Sequence, residues 1–237
     1  MSVILFYHYL LAVSIPDPKA LYPFNSWFTT REIDNEQPSG TPVGVTLAVG
    51  PNNNDGGSYQ FHGSAGSYIE FPNNGGLDVQ HSITILCWLY LESVEDGPIF
   101  SYGTHEQVRG VYFWISNQGN LYASYAHRNY SQLPSLETHQ PLALNKWHFV
   151  GTSYDHDNGI ASIWLNGERV VQQSIGAGIT LATQDNVRMG AKDDDQRHLL
   201  GRIAAIQVFD AALTARQILE VKENGLGRHL RPLQLHF

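Results

Sequence analysis

The spacing of turn signals is the feature that most constrains the fold of this 237-residue chain. Between about residues 43 and 210, short apolar runs alternate with clusters of Gly, Pro, Asn and Asp, and no helical repeat interrupts them. Ser67–Phe71 alternates apolar and polar residues and ends at the turn Pro72–Gly76. Ser82–Leu91 is apolar on both faces, which is typical of a central strand. The pattern therefore predicts short strands joined by tight turns.

Further strands are predicted downstream, with Asn166–Gly167 as the strongest two-residue hairpin signal. Val111–Ile115 and Leu121–Ala126 form a second predicted hairpin through Asn117–Asn120. The remaining predicted strands are His148–Tyr154, Ile160–Leu165, Arg169–Val171 and Ile203–Phe209. Roughly a dozen short strands with one helix describe an all-β fold, an antiparallel two-sheet sandwich in a single domain.

Charge and cysteine content exclude several classes of function. Lys and Arg number 14 against 22 Asp and Glu, so the formal net charge is −8. A nucleic-acid binder needs clustered basic residues, and this balance argues against one. The single cysteine excludes an internal disulfide and a zinc site built mainly on thiolates.

The two ends of the chain differ in pattern from the run of predicted strands. Residues 1–19 are an apolar N-terminal segment, either a signal remnant or a first strand, and the segment is too short to span a membrane. Thr214 and Gln217 have the spacing of a capping box, and Leu213 and Ile218 that of a hydrophobic staple. The helix that they begin is expected to end at Gly225, with residues 226–237 as a loosely held basic tail.

Four segments resemble the laminin G-like/pentraxin branch of the concanavalin A-like lectin/glucanase superfamily. These are Gly57–Gly63 with Ser67–Pro72, Pro98–Tyr102, Trp147–Val150 running to Ile163–Gly167, and Gly201–Asp210 followed by Ala212–Thr214. The most specific is the hairpin that runs from Trp147 to Gly167. With Leu21–Phe24 as the first strand, the resemblance covers residues 20–225 and implies one antiparallel jelly roll.

The sequence departs from that family at the residues of its disulfide. The resemblance places the two pentraxin cysteines at Leu86 and Gly151, so the bridge is absent. Cys87 is one residue out of register, and a one-residue offset in a strand points to the opposite face. Cys87 is therefore expected to be a small buried apolar residue.

The sequence also departs from the family's calcium sites. The pentraxin positions fall on Val108 and Arg109, and the laminin G-like positions on His62 and on Ala204 with Ala205. No cofactor is certain, and calcium binding would need other ligands. Asp193, Asp194 and Asp195 could gather around a hard cation, but a solvated acidic turn is the simpler interpretation.

Glu32, Asp34 and Glu36 have the E-x-D-x-E form of retaining family 16 glycoside hydrolases, which share this broad fold. In a strand, all three carboxylates would share one face as nucleophile, helper and acid/base. The segment instead runs into a turn at Gln37–Gly40, so no catalytic residue is assigned and hydrolysis is kept as the rival function.

Aromatic side chains are the candidates for ligand binding, because rings stack on sugar faces. The candidates are Tyr112, Trp114, Tyr122, Tyr125 and Tyr130. Tyr112 and Trp114 share one strand face, and at least half of the five are expected in the core. Asn129 begins an N-glycosylation sequon, which matters only in a secreted chain.

The resemblance implies a non-catalytic extracellular or secreted recognition module that binds glycans or glycoproteins. This implication rests on fold-level analogy, because functions vary widely on one fold. A purely structural protein-interaction domain is the second alternative, and a homo-oligomer is compatible with all of these functions.

Overall fold

The computed structural model describes residues 13–116 and 118–230, without the side chains of residues 225–230. In that part of the chain, fifteen strands precede one long helix. The strands are β1 (Ala20–Tyr22), β2 (Thr41–Val43), β3 (Thr46–Ala48), β4 (Ser58–His62), β5 (Tyr68–Phe71), β6 (Ile83–Leu91), β7 (Gly97–Tyr102), β8 (Tyr112–Ser116), β9 (Asn120–Ser124), β10 (Leu136–Glu137), β11 (Trp147–Asp155), β12 (Ile160–Leu165), β13 (Glu168–Ser174), β14 (Val187–Met189) and β15 (Leu200–Phe209). A single 3-10 turn, Pro51–Asn53, precedes β4, and the helix α1 is Ala215–Leu230.

The strands form two antiparallel sheets. The first sheet has the order β13-β12-β11-β6-β15-β4-β3, and β1 pairs with β15. The second has the order β10-β9-β8-β7-β14-β5-β2. Many neighbours in both sheets are distant in sequence, and a large buried apolar cluster contains residues of both sheets. The antiparallel jelly-roll sandwich is thus confirmed.

The predicted hairpins and the predicted central strand are present. The strand β6 lies in the middle of the first sheet, between β11 and β15. The pairs β8–β9, β11–β12 and β12–β13 are antiparallel neighbours, with Asn166 and Gly167 between the last two strands at positive φ. Type I′ hairpin turns need this backbone conformation.

The register of β6 and β11 shows what occupies the positions that the resemblance assigns to the pentraxin disulfide. Leu86 and Gly151, the two positions assigned to the cysteines, are direct cross-strand partners. A Cβ atom added at Gly151 would lie 2.4 Å from Cδ2 of Leu86, so the leucine fills the space above the glycine. Cys87 points to the other face of the sheet and is fully buried in the core between the sheets. The prediction that Cys87 is a small buried residue on the opposite face is confirmed.

The helix α1 packs on the outer face of the first sheet. Its Ile218 and Val221 join an apolar cluster with Leu86, Phe149 and Trp164 from that sheet. The predicted capping box is present, because Oε1 of Gln217 accepts from the backbone N–H of Thr214, and the N–H of Gln217 donates to Oγ1 of Thr214. Among the described residues, no helix is long and apolar enough to cross a membrane.

The predicted end of α1 is wrong. The helix does not stop at Gly225 but continues to Leu230. A helix-interior glycine costs about 1 kcal/mol relative to alanine, which weakens a helix without ending it. Residues 226–230, predicted as part of a loose tail, are therefore helical, whereas residues 1–12 and 231–237 lie outside the described part of the chain.

Candidate functional site

The hairpin β8–β9 builds the candidate site on the outer face of the second sheet. Alternation along β8 sends Val111, Phe113 and Ile115 into the core and leaves Tyr112 and Trp114 on the outer face. Tyr122 of β9 is the direct cross-strand partner of Trp114 and therefore shares that face. The rings of Tyr112 and Trp114 stack with their centroids 5.6 Å apart.

Two cations from the loop between β14 and β15 cover these rings. The guanidinium carbon of Arg197 lies 4.4 Å from the ring centroid of Trp114, and Nζ of Lys192 lies 4.3 Å from that of Tyr112. Both arrangements are cation–π contacts. They explain why Trp114 and Tyr112, although on the outer face, are only 3% and 8% exposed.

Arg197 is held in place by Asp195. The Nη2 and Nε atoms of Arg197 donate to the two carboxylate oxygens at 2.6 and 2.8 Å. Burial acts to raise the pKa of Asp195, but the hydrogen bonds and charge of Arg197 outweigh it and lower that pKa. Asp195 is consequently charged at neutral pH and locks Arg197 over the indole.

Lys192 is buried beside the phenol of Tyr112. Its Nζ donates to the carbonyl of Val108 at 2.9 Å and to the Tyr112 hydroxyl at 2.7 Å. Burial lowers the pKa of Lys192 to about 7, and burial likewise raises the pKa of Tyr112. A protein cation thus contacts the backbone of Val108, one of the two positions where the pentraxin resemblance places calcium ligands.

The open part of the site is a small groove, here named the basic groove, lined by Tyr112, Trp114, Tyr122, Arg109 and Arg197 among others. Its volume is about 160 Å³. Arg109 is exposed and has no ion-pair partner among the described residues. The buried indole N–H of Trp114 also lacks an acceptor in that part of the chain. Asp96 also lines the groove and lies 4.0 Å from Arg197, so Arg197 is paired with two carboxylates, those of Asp195 and Asp96. The positive charge that the groove presents beside the half-buried ring of Tyr122 is therefore that of Arg109.

The structure brings together three of the five predicted aromatics. Tyr125 lies in the core instead, and its hydroxyl is 2.6 Å from Oγ1 of Thr152. Tyr130 is exposed on a loop and donates to Asp185 at 2.8 Å. Neither residue lines the basic groove.

The three consecutive aspartates do not converge. Asp193 accepts from both Nη atoms of Arg188 at 3.1 and 3.2 Å, and Asp195 is bound to Arg197. Asp194 is exposed, with φ of 60°. The described residues contain no group of three or more His, Cys, Asp or Glu placed to hold a metal ion. The carboxylates of Asp193 and Asp195 are neutralised by arginines rather than directed at a shared cation.

The acidic segment at residues 32–36 is not a strand, so its three carboxylates do not line one strand face as the hydrolase interpretation requires. Glu32 is buried and organises the loop around it. Its Oε2 accepts from the N–H groups of Asp34 and Glu36, both at 3.0 Å, and Oε1 accepts from Leu21 N–H at 3.3 Å. These hydrogen bonds give Glu32 a structural role in fixing the turn.

The sequon asparagine Asn129 lies in an exposed turn. Its side-chain oxygen accepts from the N–H and the hydroxyl of Ser131 at 3.1 and 2.7 Å. The acceptor nitrogen is on the protein surface, so the local structure leaves the sequon accessible.

Sequence reasoning missed the cations of the groove. Lys192 and Arg197 flank the three aspartates in the sequence. Arg109 was considered only as a residue that cannot bind calcium. An acidic run with a basic residue at each end signals ion pairs as readily as a cation site, and that signal was present at Lys192–Arg197. Pairing of this loop with the aromatics of β8 is a contact between distant segments, which local pattern does not reveal.

Two antiparallel sheets packed around one apolar core place the domain in the jelly-roll class. The family model of the concanavalin A-like lectin/glucanases superfamily, in its laminin G-like form, matches residues 45–219. The chain therefore belongs to this superfamily, and the laminin G-like/pentraxin resemblance is confirmed.

Curated relatives include two pentraxins. The chain is 22% identical over 174 residues to the C-reactive protein of Mesocricetus auratus, covering 68% of this chain and 73% of that protein. It is 24% identical over 157 residues to the C-reactive protein of Oryctolagus cuniculus, covering 61% and 65%.

Solved structures with the same fold include botulinum neurotoxin binding domains. The serotype D ligand binding domain, solved in complex with N-acetylneuraminic acid, has a TM-score of 0.68 and 19% identity. The serotype G binding domain has a TM-score of 0.68 and 13% identity. Each match covers 88% of this chain and 51% of the other, so the chain spans about half the length of these structures.

Proposed function

We propose that the chain is a non-catalytic recognition module that binds glycans or glycoproteins, and that its basic groove takes a sugar bearing a carboxylate. The observation that carries this proposal is Arg109, an exposed guanidinium without an ion-pair partner among the described residues, beside the ring of Tyr122. A guanidinium binds a carboxylate through two parallel hydrogen bonds, and an aromatic ring stacks on the apolar face of a sugar.

The size of the groove limits the ligand. Its volume of about 160 Å³ lies below the roughly 300–1,000 Å³ of typical small-molecule sites. A terminal sugar residue fits this space better than the interior of a long chain. A domain of the same fold supports a carboxylated sugar as the ligand, since the serotype D neurotoxin domain was solved with N-acetylneuraminic acid.

Calorimetric titration with 3′-sialyllactose and with lactose tests the proposal, because the two probes differ by one carboxylated sugar. The wild-type chain should bind 3′-sialyllactose more tightly. Arg109→Gln should weaken 3′-sialyllactose at least tenfold, about 1.4 kcal/mol, without changing the fold. Tyr122→Ala should weaken the same probe by removing the stacking surface.

Arg169→Gln is the matched control, since Arg169 is an exposed arginine on the first sheet. It should leave the affinity unchanged. Equal affinity of the wild-type chain for both probes, or no binding of either at millimolar concentration, would contradict the proposal. Complete absence of sugar binding would instead favour a protein-interaction domain.

Release of reducing sugar from β-glucans, lost in Glu32→Gln, would restore the hydrolase alternative. The buried position of Glu32 and its three backbone hydrogen bonds speak against that outcome.

We infer that the module works outside the cell, as the laminin G-like/pentraxin resemblance implies. Exposure of Asn129 in a turn supports this placement, because N-glycans attach at exposed sequons of secreted chains. Expression through a secretory pathway should add one glycan, seen as a mass loss on enzymatic deglycosylation. Asn129→Gln should abolish that loss, and an unmodified wild-type chain would count against the inference.

A further inference from the structure

A second cleft lies on the opposite side of the molecule, on the outer face of the first sheet. We name it the amide cleft. Its floor is formed by Trp88, Ala204 and Gln207, and its walls by residues 23–27, residues 51–57 and the turn 221–224 of α1. The volume is about 530 Å³, within the range of roughly 300–1,000 Å³ typical of small-molecule sites.

Gln207 is the polar side chain on the floor of this cleft. The residue is 3% exposed, and its side-chain amide makes no hydrogen bond with any described residue. Its amide atoms are not among the sealed, unpartnered polar atoms of the described residues, so the amide opens onto the cleft. An amide that lines a cleft and has no protein partner is available to a bound molecule.

A β-bulge directs Gln207 into the cleft. Ala204 lies opposite Trp88, and Gln207 lies opposite Leu86. The step between these two pairs is three residues along β15 but two along β6, so β15 carries one extra residue. Strict alternation would place residues 204 and 207 on opposite faces, and the extra residue brings both to the outer face. Ala205 within the bulge has φ of 51°, a strained conformation for a residue other than glycine.

Trp27 supplies an aromatic surface at the rim of the cleft. It is 82% exposed, yet its loop is firmly hydrogen-bonded. The Oδ1 atom of Asn25 accepts from the N–H groups of Trp27 and Phe28, both at 3.0 Å, and Arg31 donates to the Trp27 carbonyl at 2.7 Å. The hydrogen-bonded loop thus holds the indole at the rim of the cleft, where it can stack on a bound ring.

The charges around the cleft indicate a neutral ligand. Asp55, Lys222 and Glu223 bring both signs to its lining, and no arginine among the described residues lines it. Asn52 and Asn54 add exposed polar amide groups. Planar amides and carboxylates bind sugar hydroxyls in pairs, and indoles stack on sugar rings.

We propose that the amide cleft is a second carbohydrate site, for a neutral oligosaccharide that stacks on Trp27 and hydrogen-bonds Gln207. This site goes beyond the proposed function, because it lies on the other sheet and favours uncharged sugars. The two sites together make the domain bivalent.

Tryptophan fluorescence titration with cellotriose, maltotriose and chitotriose tests the proposal on the full chain. At least one of these trisaccharides should bind and shift the emission. Gln207→Met keeps the shape of the side chain and removes its polar atoms. This change should weaken binding at least tenfold while leaving the melting temperature nearly unchanged, because the amide makes no hydrogen bond with any described residue that the change could break.

Trp27→Ala should also weaken binding at least tenfold, measured by calorimetry because the reporter is removed. Tyr122→Ala, in the basic groove, should leave the trisaccharide affinity unchanged and so separates the two sites. Failure of all three trisaccharides to bind, or binding that survives both Gln207→Met and Trp27→Ala, would overturn the proposal. A drop in melting temperature for Gln207→Met would also overturn it, since Gln207 would then have a structural role.

Discussion

The outer faces of the two sheets are covered in opposite ways. On the first sheet, α1 seals Leu86, Phe149 and Trp164 beneath apolar side chains. On the second sheet, loops seal Tyr112 and Trp114 beneath Lys192 and Arg197. Both covers bury aromatic rings, but the first does so with apolar side chains and the second with charged ones. The apolar cover stabilises through contact area, whereas the cationic cover depends on its charges being paired.

Arg188 is a further charged residue that covers an aromatic ring on the second sheet. Its guanidinium lies 3.8 Å from the ring centroid of Tyr68, 2.6 Å from Glu70 and 3.1 Å from Asp193. Arg188 is 5% exposed, so the charge is stable only because these partners replace water. The second face consequently depends on a connected set of charges, and the first face depends on contact area.

The largest expected effect comes from breaking the apolar cover. Ile218→Ala removes a fully buried side chain of α1 that packs on the first sheet. We expect a loss of about 3 kcal/mol in the free energy of unfolding, because truncation of a buried isoleucine loses transfer energy and leaves a cavity. Urea denaturation followed by circular dichroism measures the change.

Leu219→Ala is the matched control, because Leu219 is the next residue on the same helix and is 41% exposed. Its effect should be within about 0.5 kcal/mol. The Ile218→Ala loss should be equal at low and high salt, since no charge is involved. A strongly salt-dependent loss would mean that the two covers do not differ as described.

A smaller effect is expected from Lys192, and it depends on pH. Burial lowers the pKa of this lysine to about 7, below its ordinary value near 10.5. Between these values the unfolded chain binds more protons than the folded chain, so stability rises as pH increases from 7 to 9. We expect a rise of about 1–2 kcal/mol from this group in the wild-type chain.

Lys192→Met should remove that rise, because methionine does not titrate. The Val108 carbonyl keeps the Tyr112 hydroxyl as a donor in this variant. Lys146→Met, at an exposed lysine, should retain the wild-type profile. Chemical denaturation at pH 7, 8 and 9 compares the three chains, and a rise that persists in Lys192→Met would assign it to other groups.

Local sequence signals predicted most of the fold correctly. The Asn166–Gly167 turn and the capping box at Thr214 are decided by residues within a few positions of each other, and both are present. The end of α1 was wrong, because one glycine at 225 lowers helix stability without setting the backbone of the residues that follow.

The candidate site was predicted only in part. Alternation placed Tyr112 and Trp114 on one strand face, but it could not identify that face as the outer one. The cations of the groove come from residues 192 and 197, some eighty positions along the chain from Tyr112. Gln207 was missed for a different reason, since a bulge shifts the alternation that sequence periodicity assumes.

The fit of Leu86 over Gly151 has a consequence for folding. A jelly roll that relies on a cross-strand disulfide at these positions gains that stability only after oxidation. Here the same contact is made by packing, and the thiol of Cys87 is fully buried with its pKa raised, so it is a poor nucleophile. The central strands of this domain are thus joined in the same way under reducing and oxidising conditions.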